Sequence, residues 1–148
     1  MAWHLYLRKG TVYLPTVART EAGYYMDIEP VSVVPVSDTE AFENAVKAMI
    51  AKGNPVIPTP DRASSPKAVV LKHAQVKSWS VFEKDTLNWA IVEKAGNYQI
   101  KPSRRHQDGG WVDDEERIEA LPEGTTLDEV AKRVVALVQS ERSQIEGR

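Results

Sequence analysis

The side chains most able to do chemistry fall in one stretch, Ser103-Arg104-Arg105-His106-Gln107-Asp108-Gly109-Gly110-Trp111-Val112-Asp113-Asp114-Glu115-Glu116. Arg104, Arg105 and His106 offer planar N–H donors suited to phosphate or carboxylate oxygens. Trp111 offers a large ring that can stack on a base or anchor a protein contact. The consecutive carboxylates Asp113 to Glu116 offer hard oxygen ligands. Gly109 and Gly110 permit positive φ, so the chain can reverse there and bring the Arg pair toward the acidic run, with Trp111 at the bend. Arg104, Arg105, His106, Trp111, Asp113 and Asp114 are therefore the candidate partner-binding residues. Trp3 and Trp89 sit on alternating apolar faces and belong to a core. Trp111, between glycines and carboxylates, is expected at the surface.

Several chemistries have no support. The chain has no cysteine, which removes disulfides, thiolate nucleophiles and cysteine zinc sites. There is no Gly-rich phosphate loop, no dinucleotide fingerprint, no nucleophile elbow and no paired-histidine zinc motif. His4, His73 and His106 lie far apart on different elements and read as surface or locally satisfied histidines. Adjacent carboxylates along an extended chain point to opposite sides, so Asp113 to Glu116 read as a solvated charge run rather than a cation loop. No catalytic residue, metal ligand or cofactor is assigned.

The elements that must position this stretch follow from periodicity. Residues 2–8 alternate, with Trp3, Leu5 and Leu7 on one face and His4, Tyr6 and Arg8 on the other. Lys9-Gly10 turns the chain into a second strand at 11–18, weakened by Pro15, which suggests an edge or the end of pairing. Residues 24–29 alternate again, and 31–36 stay extended between prolines. Ser37 with Glu40 predicts a capped helix carrying Phe42, Ala45, Val46, Met49 and Ile50 on one stripe, with Gly53 beyond its end. Prolines 55, 58, 60 and 66 make 54–66 a loop. Ala68–Leu71 is a short strand candidate, and 78–84 fits helix or strand. Residues 86–93 and 98–101 form a second hairpin around Lys94 to Asn97. A short strand is expected at 117–121. Thr126 and Glu129 form another capping box, opening an amphipathic helix to about Arg142.

Hairpins dominate over strand–helix–strand alternation. The fold class is therefore α+β: a mainly antiparallel sheet built from hairpins, with two amphipathic helices packed on one face. At 148 residues, 42% hydrophobic and 27% charged, the chain fits a single domain over 1–142. Residues 143–148 read as a flexible tail. It ends in Ile145-Glu146-Gly147-Arg148, a sequence used in engineered protease cleavage, and is set aside from function. The formal charge of −2 gives no strong field. The N-terminus lacks the apolar core of a signal peptide, and no window has the apolar length of a membrane span, so the cytoplasm is the expected compartment and no membrane partner is expected.

The absence of catalytic motifs beside a charged, Trp-bearing loop favours a non-enzymatic protein-binding module, such as a small bacterial inhibitor or immunity-type protein, whose partner is another protein. One alternative is a domain, enzymatic or not, that binds a phosphate ligand or nucleic acid through Arg104, Arg105 and His106. An Arg pair beside an acidic run suits a polyanion poorly, so nucleic acid ranks lower. The other alternative is an accessory domain of a larger assembly.

Overall fold

Alternation of apolar and polar residues builds a long antiparallel sheet in the computed structural model, which describes residues 1–61, 68–106 and 108–146, with 142–146 as backbone only. The strands are β1 (Ala2–Arg8), β2 (Thr11–Thr20), β3 (Tyr25–Pro35), β5 (Thr86–Lys94), β6 (Asn97–Arg105) and β7 (Trp111–Asp113). They lie side by side in the order β3-β2-β1-β5-β6-β7. The two-residue strand β4 (Val56–Ile57) runs parallel to β2, and β8 (Glu119–Ala120) pairs with β6. Both expected hairpins form. Tyr6 faces Tyr13 across the first, and Ile91 faces Ile100 across the second.

Helices α1 (Thr39–Ala51) and α4 (Leu127–Glu146) cover one face. Their stripes, including Phe42, Val46, Val134 and Val138, close over Trp3, Leu5, Leu14, Trp89 and Ile100 in one continuous core. Thr126 and Glu129 form the expected capping box, each side chain accepting the other's backbone N–H at 3.2 Å. The α1 cap is Asp38 rather than Ser37: its carboxylate accepts the Ala41 N–H at 3.2 Å. Among the described residues, no helix is long and apolar enough to cross a membrane.

Two expectations are corrected and one open alternative is resolved. Pro15 does not mark an edge, since β2 is interior; it does follow the end of the β1 pairing, whose register stops at Tyr13, and the register with β3 shifts between Pro15 and Thr16. A bulge is where a missing N–H can be tolerated inside a sheet. The strand expected at 68–71 is helix α2 (Val69–Ala74), stopped by Gln75 in the left-handed region (φ 59°). The segment 78–84 resolves as helix α3 (Trp79–Lys84), with the Ser78 hydroxyl accepting the Val81 N–H at its start.

These two short helices give the sheet a second covered face. Val70, Leu71 and Phe82 pack with Tyr6 and Tyr13, and Trp79 and Trp111 flank them half-buried. The supposedly polar side of β1 is thus an aromatic layer. The loop expected over 54–66 is described to Asp61 and, against expectation, holds the short strand β4; residues 62–67 lie outside the described residues, as do Gln107, Gly147 and Arg148. Helix α4 continues past the expected end at Arg142 to Glu146.

Candidate functional site

The stretch singled out in the sequence is the β6–β7 hairpin on the outer side of β6. Arg105 pairs with Trp111, Arg104 with Val112 and Ser103 with Asp113. Gly109 (φ 99°) and Gly110 (φ 75°) make the reversal. The His106 N–H donates to the Gly110 carbonyl at 2.9 Å, and the Gly109 N–H to the His106 carbonyl at 3.0 Å. Trp111 therefore lies in the returning strand, one residue past the bend.

Trp111 is not at the surface as expected; it is half-buried. Its register puts the indole on the face that α3 covers. The ring meets Trp79 edge-on at 5.5 Å and Tyr6 at 6.0 Å. Its Nε1–H donates to the Thr86 carbonyl at 3.3 Å.

Arg105 is held on that face by a residue the sequence did not single out. Glu83, near the end of α3, is buried. Its Oε2 accepts the Gly110 N–H at 3.2 Å, and its Oε1 stands 3.8 Å from the Arg105 guanidinium. Arg105 also donates to the Lys84 carbonyl at 3.2 Å. One carboxylate thus pins both the cation and the glycine turn to α3. A Cβ on Gly109 would come within 3.4 Å of Glu83, so the turn also sits close to its anchor. The available signal was spacing: Glu83 follows Trp79 by four positions, which puts both on one face of a helix.

Arg104, the next residue along the strand, points to the opposite side from Arg105. It is exposed and has no ion pair or hydrogen bond from its side chain among the described residues. Asp113 is 4.0 Å from Lys101, and Asp114 is 3.8 Å from Arg117. Glu115 and Glu116 begin a 3-10 turn and are exposed. His106 accepts the Asp108 N–H at 3.1 Å through Nδ1. The six candidate residues thus share one hairpin but not one face. Arg105 and Trp111 serve its attachment, while Arg104, His106, Asp113 and Asp114 line its outer parts.

Each histidine faces a carboxylate: His4 meets Asp27, His73 lies 2.7 Å from Glu29, and His106 lies 3.8 Å from Asp108. The His73 hydrogen bond holds the Glu29 carboxyl below its ordinary range. No group of three or more potential ligands able to hold a metal ion occurs among the described residues.

Tyr6 joins the His4–Asp27 pair, its hydroxyl donating to Asp27 Oδ2 at 2.8 Å and tying β1 to β3 across β2. Burial, then the Asp27 charge and this hydrogen bond, push the Tyr6 phenol well above the usual tyrosine range. Tyr6 keeps its proton in the folded chain where an unfolded tyrosine has lost it. Its contribution to stability is full below about pH 10 and falls as pH rises from there toward the raised folded value. In an alkaline titration followed at the phenolate absorbance band, Tyr6, one of the five tyrosines, should ionise only as the chain unfolds. All five titrating together in the folded chain would contradict the network.

No protein-family model matches the chain, and no curated protein matches it. Solved structures do. A protein of unknown function from Neisseria meningitidis superposes with a TM-score of 0.64 at 12% identity, covering 91% of this chain and 93% of that one. A chain of the CdiA-CT/CdiI toxin and immunity complex from Yersinia pseudotuberculosis superposes with a TM-score of 0.61 at 13% identity, covering 93% of this chain and 95% of that one. At these identities the likeness is one of fold.

Proposed function

We propose that this chain is a non-enzymatic protein-binding module of the immunity type, and that the β6–β7 hairpin is its contact surface. The observation that carries the reading is how the hairpin is built. Glu83 and the Lys84 carbonyl hold Gly110 and Arg105 to α3, while Trp111 packs on Trp79 of α3 and donates to the Thr86 carbonyl of β5. The outer charges Arg104, Glu115 and Glu116 have no ion pair among the described residues. A rigid frame carrying unspent charges is preorganised for a partner, because little ordering remains to be done on binding. The near end-to-end likeness to a chain of a toxin–immunity complex supports the same reading. A partner with a patterned charged surface fits best, since Arg104 and the acidic turn stand in the same segment.

The test is kinetic. A partner captured at one-to-one stoichiometry from native lysate should associate about 10-fold or more slowly with the triple variant Arg104→Glu, Glu115→Lys, Glu116→Lys at low salt, with the difference shrinking as salt is added. Failure to recover any stoichiometric partner would defeat the reading, as would an association rate indifferent to the reversal.

A further inference from the structure

At the end of the sheet where β1 turns into β2, basic side chains gather without matching acids. A cleft of about 480 Å³ opens there, lined by Lys9, Lys84, Asp85, Leu87, Arg105 and Trp111. Arg8 stands beside it: the β1–β5 register sets Arg8 directly opposite Thr86, which also lines the cleft. The Arg8 Nε is buried and has no hydrogen-bond partner, and its guanidinium has no ion pair among the described residues. Glu83 is already engaged by Arg105 and Gly110. Three cations, Lys9, Lys84 and Arg105, thus line the cleft with one carboxylate, Asp85, while Arg8 and the engaged Glu83 stand beside it, on a chain whose overall charge is −2.

A half-buried guanidinium without a counter-charge is costly unless something completes it. Lys9 reaches the cleft from the two-residue β1–β2 turn, where a positive φ (49°) is the ordinary hairpin geometry. The excess of two positive charges matches a phosphomonoester dianion. The half-buried Trp111 ring at its side suits a planar organic body, and the volume is that of a small-molecule site.

We infer that this cleft binds a small phosphomonoester with a planar body, of the nucleoside monophosphate class. The phosphate sits among Lys9, Lys84 and Arg105, with Arg8 beside them, and the planar group lies against Trp111. The site uses Lys9 and Lys84, which the proposed protein contact does not, so either can fail without the other.

The probes are adenosine monophosphate, adenosine and inorganic phosphate, titrated against the whole chain by calorimetry up to about 1 mM, a concentration that detects weak sites. Adenosine monophosphate should bind saturably, inorganic phosphate more weakly, and adenosine not measurably. Lys9→Met with Lys84→Met should weaken nucleotide binding about 10-fold or more, as expected for two lost charge-assisted contacts. Arg104→Met, on the other face of β6, should leave it unchanged. Should the double variant fail to fold, Lys84→Met alone, at an exposed helix end, should still weaken binding severalfold. Absence of saturable binding by adenosine monophosphate would overturn the inference. So would equal binding of adenosine, or equal losses in the Arg104 and Lys84 variants.

Discussion

Phe82→Ala should destabilise the chain by about 3–5 kcal/mol, the range for truncating a fully buried aromatic. Phe82 is wholly buried at the centre of the second layer. Its ring lies 5.5 Å from Tyr6, 6.1 Å from Tyr13 and 5.3 Å from Trp79. Helix α3 has only six residues and cannot persist by itself, so it depends on docking, and Phe82 is its fully buried apolar anchor. Losing it should release Trp79 and Trp111 to solvent while Trp3 and Trp89, in the core on the opposite face, stay buried. Urea unfolding measures the cost, and a red shift in tryptophan emission from the folded variant reports the release. A loss near 1 kcal/mol with unchanged emission would mean that α3 is held some other way.

Glu83→Ala should cost about 1–3 kcal/mol, because it leaves the Gly110 N–H unpaired and the Arg105 cation without its partner. Its sharper effect is local. The Gly110 amide should exchange with solvent faster, and any protein complex made through the hairpin should dissociate faster as the loop loses preorganisation. Glu83→Gln, which still offers an oxygen to Gly110 but no charge to Arg105, should fall between the two. Identical behaviour of the Ala and Gln variants would assign the anchoring to the ion pair alone.

Much of the fold is written locally in the chain. Thr126 and Glu129 announce α4 because a capping box needs only its own two side chains. The hairpins at Lys9-Gly10 and Ala95-Gly96 are legible for the same reason: positive φ at each turn residue is a local demand. The second layer is not. Ala68 to Leu71 is an apolar, β-branched run too short to display helical period, and only docking on Tyr6 and Tyr13 makes it helical. With that layer unseen, the face of β1 carrying His4, Tyr6 and Arg8 read as the outer side. The paired tyrosines at 6 and 13 were the clue that something covers it.

The site divides along the same line. The glycine turn and the composition of the hairpin were visible in the sequence. Its attachment was not, because that depends on Glu83, twenty-odd residues earlier on a helix the sequence left undecided. Hence Trp111 was expected outside and lies against Trp79 instead. Arg104 and Arg105, adjacent in sequence, are separated in role by the pleat of β6, which turns one toward α3 and leaves the other without an ion pair among the described residues.

The central claim is that the outer β6–β7 hairpin makes the protein contact. Hydrogen exchange of the chain, free and bound to its captured partner, tests it most directly. Amides from Arg104 to Glu116 should slow on binding, while those of β3, at the opposite edge of the sheet, should not. Protection that spares this segment and appears elsewhere on the surface would contradict the claim.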